Sequence, residues 1–468
     1  EEDACREVSD VGHRRVYVTD RLGMPLIESV TGPEMKTPTE VAEVGEILRR
    51  LVRSTGKVRT GIGAGRQDVN VSVTGGTRIE IKGVPRIPRI PLLTYNEAMR
   101  QWNLLRLRKE LHHRGVTPET FQAKTEDVTR LLRKTRFEPI RRAISEGKLV
   151  KCVVLTKFKG LLRWQTQTDT YFSREISDRV RVIACLTTLP NIVHSDSPSE
   201  TLSTADWQAV KKATGASDED TVVLVWGDLI DADTGAKEIT IRAKEATIGI
   251  PSETRQALRD GTNGFERILP GPDRMYPDTD LPPKRIMQER LDQIRKGMPK
   301  YYWTHEAWYH TLGIPQDTIR PLAISPFVTL FETAAKEWKL DPVLVAMAFI
   351  QYPKRLKRKM LPVNAINVDS MTTILTALRD GKITREGVLP AMELLARNGV
   401  VDQFLTAPIP PSQGVQAFIA QIIEDVSKKN IPTREQVVRT AMHLLMKKLR
   451  GKVAGAEVEN MLQTRLEG

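Results

Sequence analysis

The stretch DVNVSVTGGTRIEIK, residues 68–82, alternates between apolar and polar residues on both sides of a Thr-Gly-Gly turn. This period of two predicts an antiparallel β-hairpin that buries one face and exposes the other. In the register that fits the turn, Asn70 faces Glu80 and Asp68 faces Lys82. Six polar side chains then share the second face: Asp68, Asn70, Ser72, Arg78, Glu80 and Lys82. Such a face is either solvated or a polar binding site.

Size and charge limit what kind of protein this is. A chain of 468 residues exceeds the roughly 150 residues of one domain, so we expect several domains. The 71 Lys and Arg residues outnumber the 58 Asp and Glu residues, and the net charge of +13 favours nucleic acid as a partner.

No apolar run approaches the roughly 20 residues of a membrane helix. The three cysteines lie too far apart for a zinc or disulfide motif, which predicts a cytoplasmic protein.

Upstream of the hairpin the sequence predicts two strands, at residues 15–19 and 25–30, followed by a helix. The helix should begin at Thr37 as N-cap, with Glu40 completing a capping box, and should end at Gly56. Its apolar residues recur at helical spacing, which predicts one buried face.

Downstream of the hairpin the pattern changes twice. A basic helix is predicted over residues 96–114, and its cations would lie on a surface that is either solvated or faces RNA: Arg100, Arg106, Arg108, Lys109 and Arg114. Residues 151–265 contain short β-rich runs with helices between them, which indicates an α+β domain. The last third is helical, with N-caps at Ser325, Asp341 and Thr433.

Carboxylates are the most informative candidates for chemistry. The sequence has no GxxxxGK phosphate loop, no HExxH and no GxSxG motif. Five acids lie in or beside the predicted strands of the first hundred residues: Glu1, Glu2, Glu28, Asp68 and Glu80. Hard oxygen ligands of this kind suit Mg²⁺ bridged to substrate phosphates, although ordinary surface acids would give the same spacing.

Four motifs carry a family resemblance. EEDA at residues 1–4, GMPLIE at 23–28, RQDVNVS at 66–72 and RIEIK at 78–82 occur in this order in the B and E subunits of tRNA-dependent amidotransferases. IGAG at residues 62–65 and the long insertion after residue 150 look like the archaeal E subunit, which belongs to the glutamyl-tRNA(Gln) amidotransferases. The resemblance covers nearly the whole chain.

The resemblance implies a multidomain α+β fold. Residues 1–150 would form part of a mixed β-sheet catalytic cradle with connecting helices, residues 151–265 an α+β insertion similar to a domain of aspartyl-tRNA synthetases, and residues 266–320 the return to the cradle. Residues 321–400 would be a helical domain and residues 401–468 a tRNA-binding tail domain, both all-α. The family's cradle starts further upstream, with a Glu-x-His segment that supplies metal ligands, so we expect part of the catalytic domain to precede residue 1.

The resemblance also implies a reaction. Members phosphorylate the side-chain carboxylate of glutamate misacylated onto tRNA(Gln), using ATP and Mg²⁺, and ammonia then displaces the phosphate to give glutaminyl-tRNA(Gln). Ammonia would come from the D subunit, an asparaginase-like glutaminase, in a heterodimer or heterotetramer. Two alternatives remain open: an aspartyl-tRNA-synthetase-like ligase and a non-catalytic tRNA-binding scaffold.

Site residues follow from the resemblance, position by position. The metal ligands would be Glu1, Glu2 and Glu28. Residues that carry catalysis or contact substrate would be Glu28, Arg66, Asp68, Asn70, Glu80 and Lys82, with Glu1, Asp68 and Glu80 lining a second metal or ammonia site. Arg66 and Ser72 would bind the nucleotide. Basic residues that meet tRNA would be Lys354, Arg358, Lys447, Lys448, Arg450 and Lys452.

Overall fold

A computed structural model gives the fold and describes residues 6–20, 23–61, 64–197, 201–269, 284–428 and 433–467. The chain divides into two compact units, the first comprising residues up to Ile47 and Thr60–Lys284, the second Leu48–Arg59 and Arg285–Gly468. Within the described residues, no helix has both the length and the apolar character needed to cross a membrane.

The first unit is mixed α and β. Its elements are, in chain order, β1 (Arg6–Val11), β2 (Arg14–Val18), α1 (Pro38–Ser54, which continues into the second unit), β3 (Gln67–Val71), β4 (Ile79–Val84), α2 (Ile90–His113), β5 (Ala123–Asp127), α3 (Glu138–Ser145), β6 (Leu149–Leu155), β7 (Gln165–Gln167), β8 (Thr170–Tyr171), α4 (Phe172–Ile183), β9 (Ile192–His194), α5 (Thr204–Thr214), β10 (Thr221–Gly227), α6 (Leu229–Ile248), β11 (Glu253–Ala257) and β12 (Asn263–Ile268).

The second unit is helical. Its elements are α7 (Gln288–Lys296), α8 (Tyr302–Thr311), α9 (Gln316–Ala323), α10 (Val328–Glu332), α11 (Pro342–Arg358), α12 (Val368–Arg379), α13 (Val388–Asn398), α14 (Asp402–Thr406), α15 (Ser412–Ser427), α16 (Arg434–Leu449) and α17 (Gly455–Glu467). The α+β class predicted from the sequence therefore agrees with the mixture of helices and strands.

The helix predicted after Thr37 is confirmed with its cap. The Thr37 hydroxyl accepts from the Glu40 amide at 3.3 Å, and the Glu40 carboxylate accepts from the Thr37 amide at 2.9 Å. This reciprocal pair is the capping box that the spacing predicts. Gly56, just after the helix, has a φ of 66°, a conformation that glycine adopts at little cost.

The two strands predicted before this helix are only partly correct. β2 covers most of residues 15–19, but it pairs with β1 upstream in a hairpin that turns at Gly12. The strand predicted at residues 25–30 is wrong, because these residues make no ladder with any described strand. Ile27 is 89% exposed and Val30 81% exposed, so the apolar residues that suggested a strand bury little in the described structure.

The predicted hairpin lies inside a larger sheet. β3 pairs with β4 antiparallel, β4 pairs with β11 parallel, and β11 pairs with β12 antiparallel, which gives the order β12-β11-β4-β3. Two strands from far downstream thus complete the sheet, so residues 253–268 share it with residues 67–84. The buried face of β3 and β4 packs against Ile90 and Leu93 of α2.

A second four-stranded sheet, in the order β5-β6-β10-β9, is antiparallel throughout. One face contributes Val153 and Val223 to a core shared with α2, α4 and α6, and the other contributes Cys152 and Val222 to a core shared with α3 and α5. Burial on both faces explains why β6 and β10 appear in the sequence as continuous apolar runs.

An ion network lies between α2, α4, α6 and β11. It consists of three carboxylates and three guanidinium groups, all less than 3% exposed: Glu97, Arg100, Glu175, Arg242, Glu253 and Arg255. Arg100 donates to Glu175 at 2.8 Å and to Glu253 at 2.6 Å, and Arg255 donates to Glu175 at 3.0 Å. Because its charges are equal in number and closely paired, this buried ion network can persist away from water.

Arg100 therefore corrects the prediction for the basic helix. The sequence places it on a solvated or RNA-facing surface, whereas the structure buries it completely. Burial disfavours the charged form of Glu175, but the neighbouring Arg100 and Arg255 outweigh that effect and hold the pKa of Glu175 well below its usual value.

The second unit ends in a three-helix module, α15–α17, with its own apolar core. The turn between α16 and α17 contacts the segment before α13, where Thr384 donates its amide to the Gly451 carbonyl at 2.9 Å. A Cβ on Gly451 would lie 2.8 Å from the Cα of Gly387, so glycine is required for this close approach. The N-caps predicted at Asp341 and Thr433 are both confirmed. The N-cap predicted at Ser325 is wrong, because α10 begins at Val328 with Phe327 as its N-cap, and the Ser325 hydroxyl accepts from the Phe327 amide at 3.2 Å.

We expect Glu175→Gln to lower the free energy of unfolding of the first unit by about 3–5 kcal/mol, because it leaves three buried guanidinium groups with two carboxylates. Urea unfolding followed by circular dichroism measures the change. Glu110→Gln is the matched control, since its partly exposed pair with Arg114 should be worth less than about 1 kcal/mol. Equal, small losses for both variants would contradict this account of the buried ion network.

Candidate functional site

The outer face of β3 and β4 carries the polar residues that the hairpin predicts. Asn70 lies directly opposite Glu80 in the ladder, as the predicted register requires. The Lys82 ammonium lies 3.5 Å from the Glu80 carboxylate, two residues along the same strand. Both side chains are partly exposed, so a carboxylate and a cation meet on a surface that a ligand can reach.

The predicted register fails at Asp68, which does not pair with Lys82. β4 contains a bulge, at which the two residues Lys82 and Gly83 lie opposite the single residue Asp68 of β3. Gly83 has a φ of 64° at this bulge. The Asp68 carboxylate accepts instead from the Gly83 amide at 2.8 Å. The bulge leaves the Lys82 side chain on the same face as Glu80 and fixes the end of the hairpin.

β11 and β12 extend this polar face with residues that the sequence analysis missed. Thr254 is aligned with Glu80 and Gln256 with Lys82, so their side chains lie on the same side of the sheet. The Thr254 hydroxyl donates to the Glu266 carboxylate of β12 at 3.1 Å. The polar sheet face is therefore built from four strands: it comprises Asn70, Glu80, Lys82, Gln256 and Glu266, with the fully buried Thr254 bonded to Glu266.

The polar sheet face combines acids, one cation and neutral hydrogen-bonding groups. A carboxylate such as Glu80 can accept a proton or bind a hard cation, and Lys82 can pair with a phosphate. The amides of Asn70 and Gln256 can each donate and accept. Mg²⁺ needs only one or two protein carboxylates and keeps several waters, so this donor set suits a magnesium–phosphate ligand.

The remaining predicted site residues lie elsewhere or outside the description. Glu28 is exposed in a segment without regular structure, and Glu1 and Glu2 are outside the described residues. Arg66 and Ser72 are exposed just before and just after β3. No cluster of three acids, histidines or cysteines that could hold a metal ion occurs in the described ranges. The structure thus brings together Asn70, Glu80 and Lys82 only, with Asp68 at the bulge beside them.

The basic residues predicted to meet tRNA fall into two groups. Lys354 and Arg358 are exposed near the end of α11, and Lys447 and Arg450 are exposed at the end of α16. Lys448 is also exposed, with its ammonium 5.0 Å from the centre of the Phe418 ring.

Lys452 differs from its neighbours. Its ammonium points into the second unit and donates to the carbonyls of Ala407 at 2.6 Å and Lys382 at 3.2 Å. Burial lowers the pKa of Lys452, although these carbonyl partners stabilise its charged form. Its contacts give it a structural role in holding the turn before α17.

Comparisons with known proteins place these observations in a family. Residues 1–292, which include the whole polar sheet face, match the model of the GatB/GatE catalytic domain. The whole chain is similar to proteins named as the E subunit of glutamyl-tRNA(Gln) amidotransferase. It is 32% identical to that of Saccharolobus solfataricus, 34% to that of Archaeoglobus fulgidus and 33% to that of Methanocaldococcus jannaschii. The alignments cover all of this chain and 75%, 74% and 75% of those proteins.

We expect Asp68→Ala to destabilise the first unit by about 1 kcal/mol, because the Gly83 amide loses its acceptor. Asp68→Asn should cost much less, since its side-chain oxygen can still accept from that amide. Urea unfolding of the two variants measures the difference. If Asn destabilises as much as Ala, the hydrogen bond to the bulge is not what Asp68 contributes.

Proposed function

The chain belongs to the family of glutamyl-tRNA(Gln) amidotransferase E subunits, and on that premise we propose that it converts glutamyl-tRNA(Gln) to glutaminyl-tRNA(Gln) at the expense of ATP. The observation that carries this proposal is the polar sheet face, which lies within the residues matched by the catalytic-domain model. Glu80 and Lys82 meet there beside two neutral amides.

The reaction needs activation because a carboxylate oxygen is a poor leaving group. A side-chain oxygen of the tRNA-bound glutamate attacks the γ-phosphorus of ATP, and ADP leaves. Ammonia then attacks the carbonyl carbon of the acyl phosphate, its lone pair forms the new C–N bond, and inorganic phosphate leaves with that oxygen. When bound, Mg²⁺ supplies charge neutralisation to the phosphates.

Each residue of the polar sheet face has a proposed task in these steps. Lys82 pairs with the transferred phosphoryl group, whose negative charge it balances. Glu80 accepts a proton as ammonium becomes ammonia or as the attacking nitrogen is deprotonated. Asn70 and Gln256 orient the substrate carboxyl and the forming amide through hydrogen bonds. Thr254 holds Glu266, so that a second carboxylate keeps a fixed position on the face.

Other parts of the proposal rest on the family resemblance. Glu28, with Glu1 and Glu2, would supply metal ligands, and Arg66 and Ser72 would contact the nucleotide. Ammonia would come from a separate glutaminase, the D subunit, within a hetero-oligomer. The rival proposal of a tRNA-binding scaffold without its own chemistry predicts no amidation when ATP and ammonium are supplied directly.

The tRNA body would be held by exposed basic residues of the second unit. The candidates are Lys354 and Arg358 on α11 and Lys447, Lys448 and Arg450 at the end of α16, because their side chains are exposed. Lys452 is left out of this set, since its ammonium already donates to backbone carbonyls.

We expect Glu80→Gln and Lys82→Gln to lower the kcat of amidation by about 100-fold or more, because each removes a charge that acts in the reaction. The full-length protein is assayed with glutamyl-tRNA(Gln), ATP, Mg²⁺ and ammonium chloride, and glutaminyl-tRNA is quantified. Glu126→Gln and Lys124→Gln are matched controls, because they form a similar pair on β5 of the other sheet. Wild-type rates in the Glu80 and Lys82 variants would contradict the assignment, and absence of amidation by the wild type would favour the scaffold.

We expect the double variant Lys447→Ala, Arg450→Ala to raise the KM for tRNA and to flatten the dependence of log affinity on log salt by up to about one unit per lost phosphate contact. Its kcat at saturating tRNA should not change. Filter binding at several salt concentrations measures the slope. Lys452→Ala serves as the comparison, since it should lower stability without changing the slope. An unchanged slope in the double variant would show that this helix end does not hold tRNA.

A further inference from the structure

A groove of about 490 Å³ runs between α2 and the β7–β8 hairpin of the first unit. Its lining includes Tyr95, Met99 and Arg106 of α2 and Arg163, Trp164 and Gln165 from the start of the hairpin. Among the nine described residues that line it, two are arginines and none is a carboxylate. The proposed reaction does not use this groove.

The groove is part of a longer stripe on the outer surface of α2. Tyr95, Met99, Trp102 and Arg106 follow one another at spacings of four, three and four residues, which places them on one helical face. Tyr95 is 50% exposed and Trp102 is 56% exposed. Large aromatic rings at these exposures are available to a ligand, and a cation stands at one end of the row.

The polar groups beneath the groove hold its shape. The Trp164 indole N–H donates to the Asn103 carbonyl at 2.9 Å, and the Asn103 side chain donates to the Thr166 carbonyl at 3.2 Å. The Arg106 guanidinium lies 5.6 Å from the centre of the Trp164 ring. A ring fixed in this way beside two guanidinium groups is a preformed stacking surface with a positive rim.

This combination of chemistry matches single-stranded nucleic acid. Bases stack on aromatic rings whatever their sequence, and arginines beside the rings neutralise the phosphates between the bases. An apolar protein segment would be the main competitor for an exposed aromatic stripe, but the two arginines and the absence of acids in the described lining favour an anionic ligand. The net charge of +13 acts in the same direction.

We infer that this groove binds unpaired nucleotides in a loop of the substrate tRNA, an inference that rests on the proposed tRNA-dependent amidation. The loop is favoured over the 3′ end for a geometric reason. The inner side of α2 packs against the buried face of the β12-β11-β4-β3 sheet, so the groove and the polar sheet face open on opposite sides of this layer. The 3′ end of the tRNA must bring the reacting glutamate to the polar sheet face. The unpaired nucleotides that bind in the groove therefore come from a loop of the tRNA.

Paired substitutions separate ring stacking from mere apolar contact. Tyr95→Leu and Trp102→Leu remove a ring and keep an apolar side chain, whereas Tyr95→Phe and Trp102→Phe keep a ring. The probes are a fluorescently labelled linear RNA hexamer and an unacylated tRNA(Gln) transcript, titrated against the full-length protein by anisotropy. Each Leu variant should weaken binding of both probes by about tenfold, and each Phe variant should bind like the wild type. Tyr17→Leu, at an exposed tyrosine of β2, should leave both affinities unchanged.

Amidation at saturating tRNA is measured on the same preparations, and its kcat should be unchanged in all of these variants. Wild-type affinities in the Leu variants, or equal losses in the Leu and Phe variants, would overturn the inference. Loss of a co-purifying partner protein with RNA affinity intact would also overturn it, in favour of a protein-binding surface. Failure of the wild-type protein to amidate would overturn the proposed function instead, and the hexamer titration would report on the groove independently.

Discussion

The buried ion network is the constraint on which the first unit depends. Glu175 of α4 receives guanidinium groups from α2, β11 and α6, so one carboxylate connects helices that belong to different layers. No member of the network can move without leaving a charge unpaired in a dry interior, which costs several kcal/mol. The helices α2, α4 and α6 and the sheet that carries the polar face are therefore held together by charge pairing as well as by apolar packing.

This constraint has a direct consequence for the site. β11 carries Glu253 and Arg255 into the network with one face, while Thr254 and Gln256 point to the other. The strand is thus fixed in register by the buried ion network and presents its polar residues beside Glu80 and Lys82 as a result. The bulge at Gly83 completes the arrangement, because it fixes the end of the hairpin against Asp68.

Local patterns in the sequence predicted the hairpin, the pairing of Asn70 with Glu80 and the capping box at Thr37, because each depends on neighbours within a few residues. The strand β11 was missed because its buried face carries Glu253 and Arg255, so it lacks the apolar alternation that marks a strand. The sequence predicts Arg100 and Lys452 to be surface cations because nothing close to them in the chain indicates a partner. Their partners, Glu175 and Ala407, lie 75 and 45 residues away. Burial of a charge is decided by such distant partners, and composition and periodicity do not contain that information.

The central claim is that this chain activates the glutamate carboxylate by phosphorylation, and isotope transfer tests it most directly. Glutamyl-tRNA(Gln) is prepared with ¹⁸O in both side-chain carboxylate oxygens and amidated with ATP, Mg²⁺ and ammonium. Mass spectrometry of the released phosphate should show one ¹⁸O per phosphate, because the oxygen that attacks the γ-phosphorus leaves with it. Unlabelled phosphate from a reaction that still forms glutaminyl-tRNA would contradict the account.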